Sequence, residues 1–279
     1  MSYEEPLSKH AIAISISESP DMAVLGLAQE HLDDAMTEVA RHLLAMGARL
    51  IYGGDLRPKG FTEVLFELVA RHRRGADLSD ERVGVSNFLA WPVHISMPPQ
   101  EVKQLSEELR GVAELICLTV DGNIMPLDER LQLAPRPATN DEWVAGLASM
   151  REAVTRLSDA RIALGGRVDG FKGSMPGVAE EVRAALRAGQ PLFLLGGFGG
   201  CARDIAEDLG LVTARLAARP AWPGRADFAN FSFEDLNNGL DAEENAILAT
   251  TVHVDQAVTL ILRGLFRKMG GRAPLDSGG

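Results

Sequence analysis

Short unbroken apolar runs alternate along this chain with longer stretches whose apolar positions recur every three or four residues. The first kind of pattern predicts strands buried on both faces, and the second predicts helices with one apolar side. Ala11 to Ile16 reads as a buried strand leaving through Ser17, Glu18 and Ser19. Glu30 to Met46 carries Leu32, Met36, Val39, Leu43 and Leu44 at helical spacing, and Gly47 closes it. Arg49 to Tyr52 is a second strand, running into Gly53, Gly54 and Asp55, and Phe61 to Arg73 is again helical. Val83 to Phe88 predicts a strand, followed by a loop with Pro92, Pro98 and Pro99 and a helix from about Pro99 to Arg110. Glu114 to Val120 is the next strand. Asp121 to Asn140 is loop-like, a flap or an insertion.

The alternation then resumes. Asp141 to Ser158 is a helix, Ala160 to Leu164 a strand, Pro176 to Ala188 a helix, Pro191 to Leu195 a strand and Cys201 to Asp208 a helix. Trp222 to Leu240 is polar and aromatic with little periodicity; an acid-capped helix follows Asp241, and Asp255 to Lys268 is a last amphipathic helix. Strand then helix, with strands apolar throughout, means a mainly parallel sheet covered on both faces. Right-handed crossovers make it an α/β, Rossmann-like, doubly wound fold, in which ligands bind at the carboxyl ends of strands. No repeat or linker divides the chain, so 1–279 reads as one domain, with a core over about 11–210 and an irregular and helical extension over 211–270.

Composition narrows the function. Lys and Arg total 28 against 39 Asp and Glu, a formal charge of −11. A nucleic-acid-coating surface needs a basic face, so nucleic acid is not the expected partner. Mean hydropathy is near zero, no apolar stretch approaches the roughly 18–20 residues of a membrane span, and Met1 to His10 is polar rather than a signal segment. The expectation is a cytoplasmic protein without a membrane partner. Cys117 and Cys201 read as reduced thiols, and the histidines show no metal-ligand spacing, so neither a metal nor a cofactor is expected.

The glycines carry the candidate chemistry. The strand ending at Leu164 enters a loop holding Gly165, Gly166, Gly170 and Gly173, then a helix starting at Pro176 and Gly177. Unpaired N–H groups and the positive end of the helix dipole converge there, which suits a phosphate. Arg167 and Lys172 add positive charge, and Glu180 and Glu181 follow in the helix. The bland alternatives are a solvated connector and ordinary first-turn acids. Gly53 and Gly54 could be a plain turn. Gly197-Phe198-Gly199-Gly200-Cys201-Ala202 formally matches a dinucleotide fingerprint. It lacks the acid expected about 20 residues on; Arg215, Ala217 and Arg219 occupy that region. Close backbone approach to some ligand, or tight packing, remains for that cluster. Neither a GxSxG elbow nor a Walker loop occurs.

At these residues the chain resembles the SLOG superfamily, named after the Smf/DprA DNA-processing proteins and the LOG phosphoribohydrolases. Leu50-Ile-Tyr-Gly-Gly-Asp55 with Gly60 is similar to the LOG strand ending in glycines. Ser158 to Gly166 is similar to the strand before its Pro-Gly-Gly loop, and Pro176-Gly177 with Glu180-Glu181 to the end of that motif. Arg151 falls close to the basic pair of the preceding helix. The resemblance covers about Ile12 to Leu209. Two departures stand out: the Pro-Gly-Gly-x-Gly-Thr element is not intact, its glycines stretched across Gly165 to Gly177 and its Thr missing, and the Gly196 to Gly200 cluster lies outside the simple enzyme motif. That pattern looks more like the SLOG sensor branches, which recognise nucleotide-derived ligands such as ADP-ribose and its cyclic isomers in bacterial antiphage systems.

The resemblance implies a sensor in which Gly165, Gly166, Gly173 and Gly177 cradle phosphates and Arg167 and Lys172 supply counter-charge. Ser17, Glu18 and Asp55 would meet ribose hydroxyls, and Gly53, Gly54, Gly197, Phe198 and Gly199 would approach the ligand. A separate effector protein would supply the output, and the last amphipathic helix would serve a homo-oligomer or a core. The alternative it implies is a nucleotide N-glycosidase using Arg151, Glu180 and Glu181.

Overall fold

A computed structural model describes residues 5–54, 60–75, 84–214 and 221–269. Its strands are β1 (Ala11–Ser17), β2 (Arg49–Gly53), β3 (Val85–Leu89), β4 (Ala113–Leu118), β5 (Ile124–Met125), β6 (Ala160–Gly165) and β7 (Leu192–Leu195). They form a seven-stranded sheet in the order β5-β4-β3-β2-β1-β6-β7, parallel throughout except for β5 at one edge. The fold is therefore α/β, Rossmann-like and doubly wound. β1 and β6 are buried at almost every position, as strands covered on both faces must be.

One face carries α1 (Gln29–Ala45), α2 (Phe61–Gly75) and, near the chain's end, α9 (Ala242–Thr250) and α10 (Val254–Met269). The other carries α6 (Asn140–Leu157), α7 (Gly177–Arg187) and α8 (Gly200–Asp208). α6 starts sharply because Thr139 and Glu142 bond reciprocally to each other's backbone N–H.

The chain order sets the position of the site. β1 to β4 are laid outward to one side; the chain then returns to place β6 on the other side of β1, with Ser17 opposite Gly165. This reversal opens a crevice beyond the carboxyl ends of β1 and β6, where such sheets take ligands.

Three local expectations are corrected. The proline loop contains a short helix, α3 (Trp91–His94), because Pro92 sits in a first turn, where its missing N–H costs nothing. The 121–140 segment is not a plain loop: it holds β5 and α5 (Leu127–Leu131), pinned by the buried Arg130. Arg130 Nε donates to His94 Nδ1 at 2.9 Å, and its Nη2 donates to the carbonyls of His94 and Met97. Helix α7 starts at Gly177, with Pro176 extended at the cap position rather than inside the first turn. α4 (Pro99–Glu108) lies close to its expected bounds.

Candidate functional site

A cleft of about 490 Å³ lies at the crevice. Its floor comes from strand ends: Ile16 and Ser17 of β1 with Glu18 just beyond, and Tyr52 and Gly53 of β2 with Gly54 just beyond. One wall is α6, through Trp143, Leu147, Met150 and Arg151; the other is the glycine loop and α7, through Arg167, Gly170, Phe171, Lys172, Gly177 and Glu181. Ala90, Val93 and Ser96 close the side towards α3.

Backbone geometry explains the glycines here. Gly165 and Gly166 have φ of 65° and 105°, in the left-handed region that side chains resist. A Cβ on Gly165 would lie 2.5 Å from the Ser17 carbonyl, and one on Gly166 would lie 2.3 Å from Cys201 Sγ. These two glycines let the chain turn tightly off β6; neither borders the cleft itself. Gly166 N–H donates to the Ser17 carbonyl at 2.9 Å and Arg167 N–H to Ser17 Oγ at 3.0 Å, which binds the loop to the end of β1. Gly177 approaches Arg151: a Cβ there would lie 2.8 Å from Nη2. Among the described residues no side chain caps α7, and Gly177 and Val178 of its first turn face the cleft.

The charges are arranged in pairs. Arg167 Nε donates to Glu18 Oε2 at 2.8 Å, with both side chains nearly half exposed. Arg151, almost fully buried, donates through Nη1 to Glu180 and lies 3.9 Å from Glu181. Glu181 is held from below by Arg161, whose Nη1 donates to it at 3.0 Å. Arg161 has no exposed surface; it also donates to Ser15 Oγ and, at 3.1 Å, to Thr155 Oγ1. Two guanidiniums and two carboxylates thus form one network beneath the cleft, and Glu181 alone of its carboxylates reaches the cleft wall. Glu180 faces a second groove of about 390 Å³ between α6 and α7, away from the strand ends, with Arg183 and Arg187. That groove has no glycine backbone in its lining, so the crevice is the candidate site.

Cys201, behind Gly166, is an unreactive thiol, its pKa pushed up to about 12 by burial; burial also raises Cys117, to about 11.

The second glycine cluster is not brought to the cleft. Gly197 is packed against the Thr251 carbonyl, 2.2 Å from where its Cβ would be, and Gly199 against Asp21, 2.5 Å. Phe198 is buried in the core. Gly200 N–H donates to Asp21 Oδ2 at 2.7 Å, so the start of α8 already holds an internal carboxylate. The close backbone approach read from the sequence is to the protein's own chain. Gly173 sits over Arg151 and Glu180, 3.0 Å and 3.4 Å from its Cβ position. Asp55, Arg215 and Arg219 lie outside the described residues.

Sequence reasoning missed two groups. Arg161 was signalled by being the one charge within the apolar run from Ala160 to Leu164; such a charge needs a buried partner. Tyr52, Trp143 and Phe171 give the cleft three aromatic side chains. Nothing local marked them, since each comes from a different element.

A family model described as SLOG cluster2 matches residues 6–238. No curated protein gives a significant match. The chain belongs to the SLOG superfamily, which implies binding or processing of a nucleotide-related ligand.

Proposed function

We propose that this SLOG protein binds a nucleotide-derived small molecule, of the ADP-ribose, cyclic ADP-ribose or NAD type, in the cleft at the carboxyl ends of β1 and β2, beside the glycine loop that follows β6. The observation that carries the reading is the uncapped start of α7, which presents Gly177 and Val178 to a cleft that also holds Lys172 and Arg167. Backbone donors and the helix dipole favour an anion there. Ser17 and Glu18 stand at the neighbouring strand end, within the same cleft, as acceptors for ribose hydroxyls. No helix among the described residues is long and apolar enough to cross a membrane. In this reading the protein is a sensor, in the manner of bacterial antiphage signalling. A separate effector protein gives the output, and a homo-oligomer is its working form.

A thermal-shift screen over AMP, ADP-ribose, cyclic ADP-ribose isomers and NAD, with chromatography of each mixture, tests this. A ligand at 100 times its Kd adds about 2.7 kcal/mol of stability, a readily measured shift. Gly177→Asp should abolish the response, because its carboxylate lies beside Arg151 and occupies the anion position. An unchanged shift in the folded variant sinks the placement.

One observation favours a second reading as an N-glycosidase. Glu181 faces the cleft while Arg161 and Arg151 fix its carboxylate, as a group stabilising a cationic ribosyl centre requires. Release of free base, lost in Glu181→Gln, would establish it; intact nucleotide after prolonged incubation would exclude it.

A further inference from the structure

Lys172 and Trp143 meet in the cleft in a way that the phosphate reading does not use. The Lys172 ammonium lies 3.8 Å from the centre of the Trp143 ring, against the face of the indole. Trp143 stands in the first turn of α6 and lines the cleft, as does Phe171 beside Lys172 in the glycine loop. Aromatic residues are only 5% of the chain, yet Tyr52, Trp143 and Phe171 converge here. Planar bases stack on such faces, an attraction comparable to that of a cation over the same ring.

Among the described residues, the other cations of the cleft are committed elsewhere. Arg151 is paired with Glu180, and Arg167 with Glu18. Lys172 has no carboxylate partner among the described residues, and its ammonium is held only by the indole face. Its loop can swing. Gly170 takes φ of 62° with nothing within 4 Å of its Cβ position, and the Lys172 side chain is exposed.

We propose that Trp143 is the base platform of the cleft and that Lys172 is its exchangeable cover. A base stacking on the indole displaces the ammonium, which then pairs with the ligand's phosphate at the start of α7. The inference rests on the nucleotide reading above and adds a specificity rule to it. Lys172 opposes an uncharged nucleoside, which must evict the ammonium and offers it nothing. It favours a nucleotide, which supplies the displaced charge with a partner.

The test is a divergence of sign. In Lys172→Met, which keeps the apolar stem, adenosine should bind about threefold to tenfold more tightly, while AMP and ADP-ribose should bind about tenfold more weakly. Titration calorimetry of the full chain reads both, and Trp143→Leu should weaken all three ligands. Lys172 is exposed, so the methionine variant should keep the parent melting temperature. A change of the same direction for adenosine and ADP-ribose overturns the cover role and leaves nucleotide binding standing. Absence of adenosine binding to both proteins at millimolar concentration also overturns it. If neither AMP nor ADP-ribose binds the parent chain, the nucleotide reading itself falls.

Discussion

At the scale of single residues, the buried charges decide most about this protein. Arg161 has no water contact, and burial pushes its guanidinium pKa down, with Glu181 opposing that shift. Its Nε has no hydrogen-bond partner among the described residues, so the site depends on the bonds to Ser15, Thr155 and Glu181. Removing one partner of such a pair leaves the other charge uncompensated, at a cost of about 3–5 kcal/mol. Arg161→Leu should therefore lose about that much in urea unfolding. The Arg161→Leu/Glu181→Leu pair should lose less than the single change, and a double variant less stable than the single one would contradict the network. His94 gives a pH prediction of defined sign. Its Nε2 donates to the Leu118 carbonyl at 2.7 Å and its Nδ1 accepts from Arg130, so protonation would set N–H against N–H. Burial, foremost, lowers its pKa from 6.5 to about 4. The unfolded chain then binds the proton first. The stabilisation is complete above pH 6.5 and fades as pH falls towards 4, by an amount on the order of 3 kcal/mol. His94→Gln, which can still donate and accept, should flatten the stability profile between pH 6.5 and 5. An equally steep profile in that variant would remove His94 as the cause.

At the scale of elements, two helix starts with similar glycine-rich approaches have opposite surroundings. α8 opens on Gly199–Gly200 with the Asp21 carboxylate bonded at 2.7 Å, whereas α7 opens on Gly177 with no side-chain cap and faces the cleft. Asp21→Ala should cost about 0.5–2 kcal/mol, the ordinary value of a lost N-cap, and leave ADP-ribose affinity unchanged. Weakened ADP-ribose binding in that variant would mean that α8 belongs to the ligand site. This pair of helices also shows what the sequence could and could not reveal. The strands and long helices were legible because burial on both faces writes continuous apolar runs, as in Ala11 to Ile16, and one-sided burial writes a helical period, as in α1. The loop from Gly165 to Gly177 was legible as glycine after strand. The difference between it and Gly196 to Gly200 was not, because it is made by Asp21 and Thr251, far away in the chain. β5 and α5 escaped for a related reason: they are short, and Arg130 pins them through carbonyl groups of another segment.

At the scale of the whole molecule, the family match stops at residue 238 while the fold does not. α9 packs on β7, and α10 on α1, burying Leu248, Val258, Leu260, Ile261 and Leu265 in the core shared with Phe193 and Leu195. Asn238 joins the two parts, donating to the Leu192 carbonyl and to Asn245, each at 2.8 Å. At about 1.5–3 kcal/mol for each large apolar side chain buried, these helices contribute on the order of 10 kcal/mol, comparable with the whole net stability of a domain. The support reaches the cleft in steps. Thr251, just beyond α9, backs Gly197; Gly200 lies against the carbonyl of Gly165; and Cys201 N–H donates to the Gly166 carbonyl at 3.0 Å, fixing the turn from which the glycine loop departs. A chain ending at Leu240 should therefore lose cooperative melting and, with it, any ligand-induced shift. Differential scanning calorimetry of the shortened chain beside its parent reads this directly. Cooperative melting of the shorter chain within a few degrees of the parent would show that residues 241–269 are an appendage to the fold rather than the far end of the structure that holds the cleft in shape.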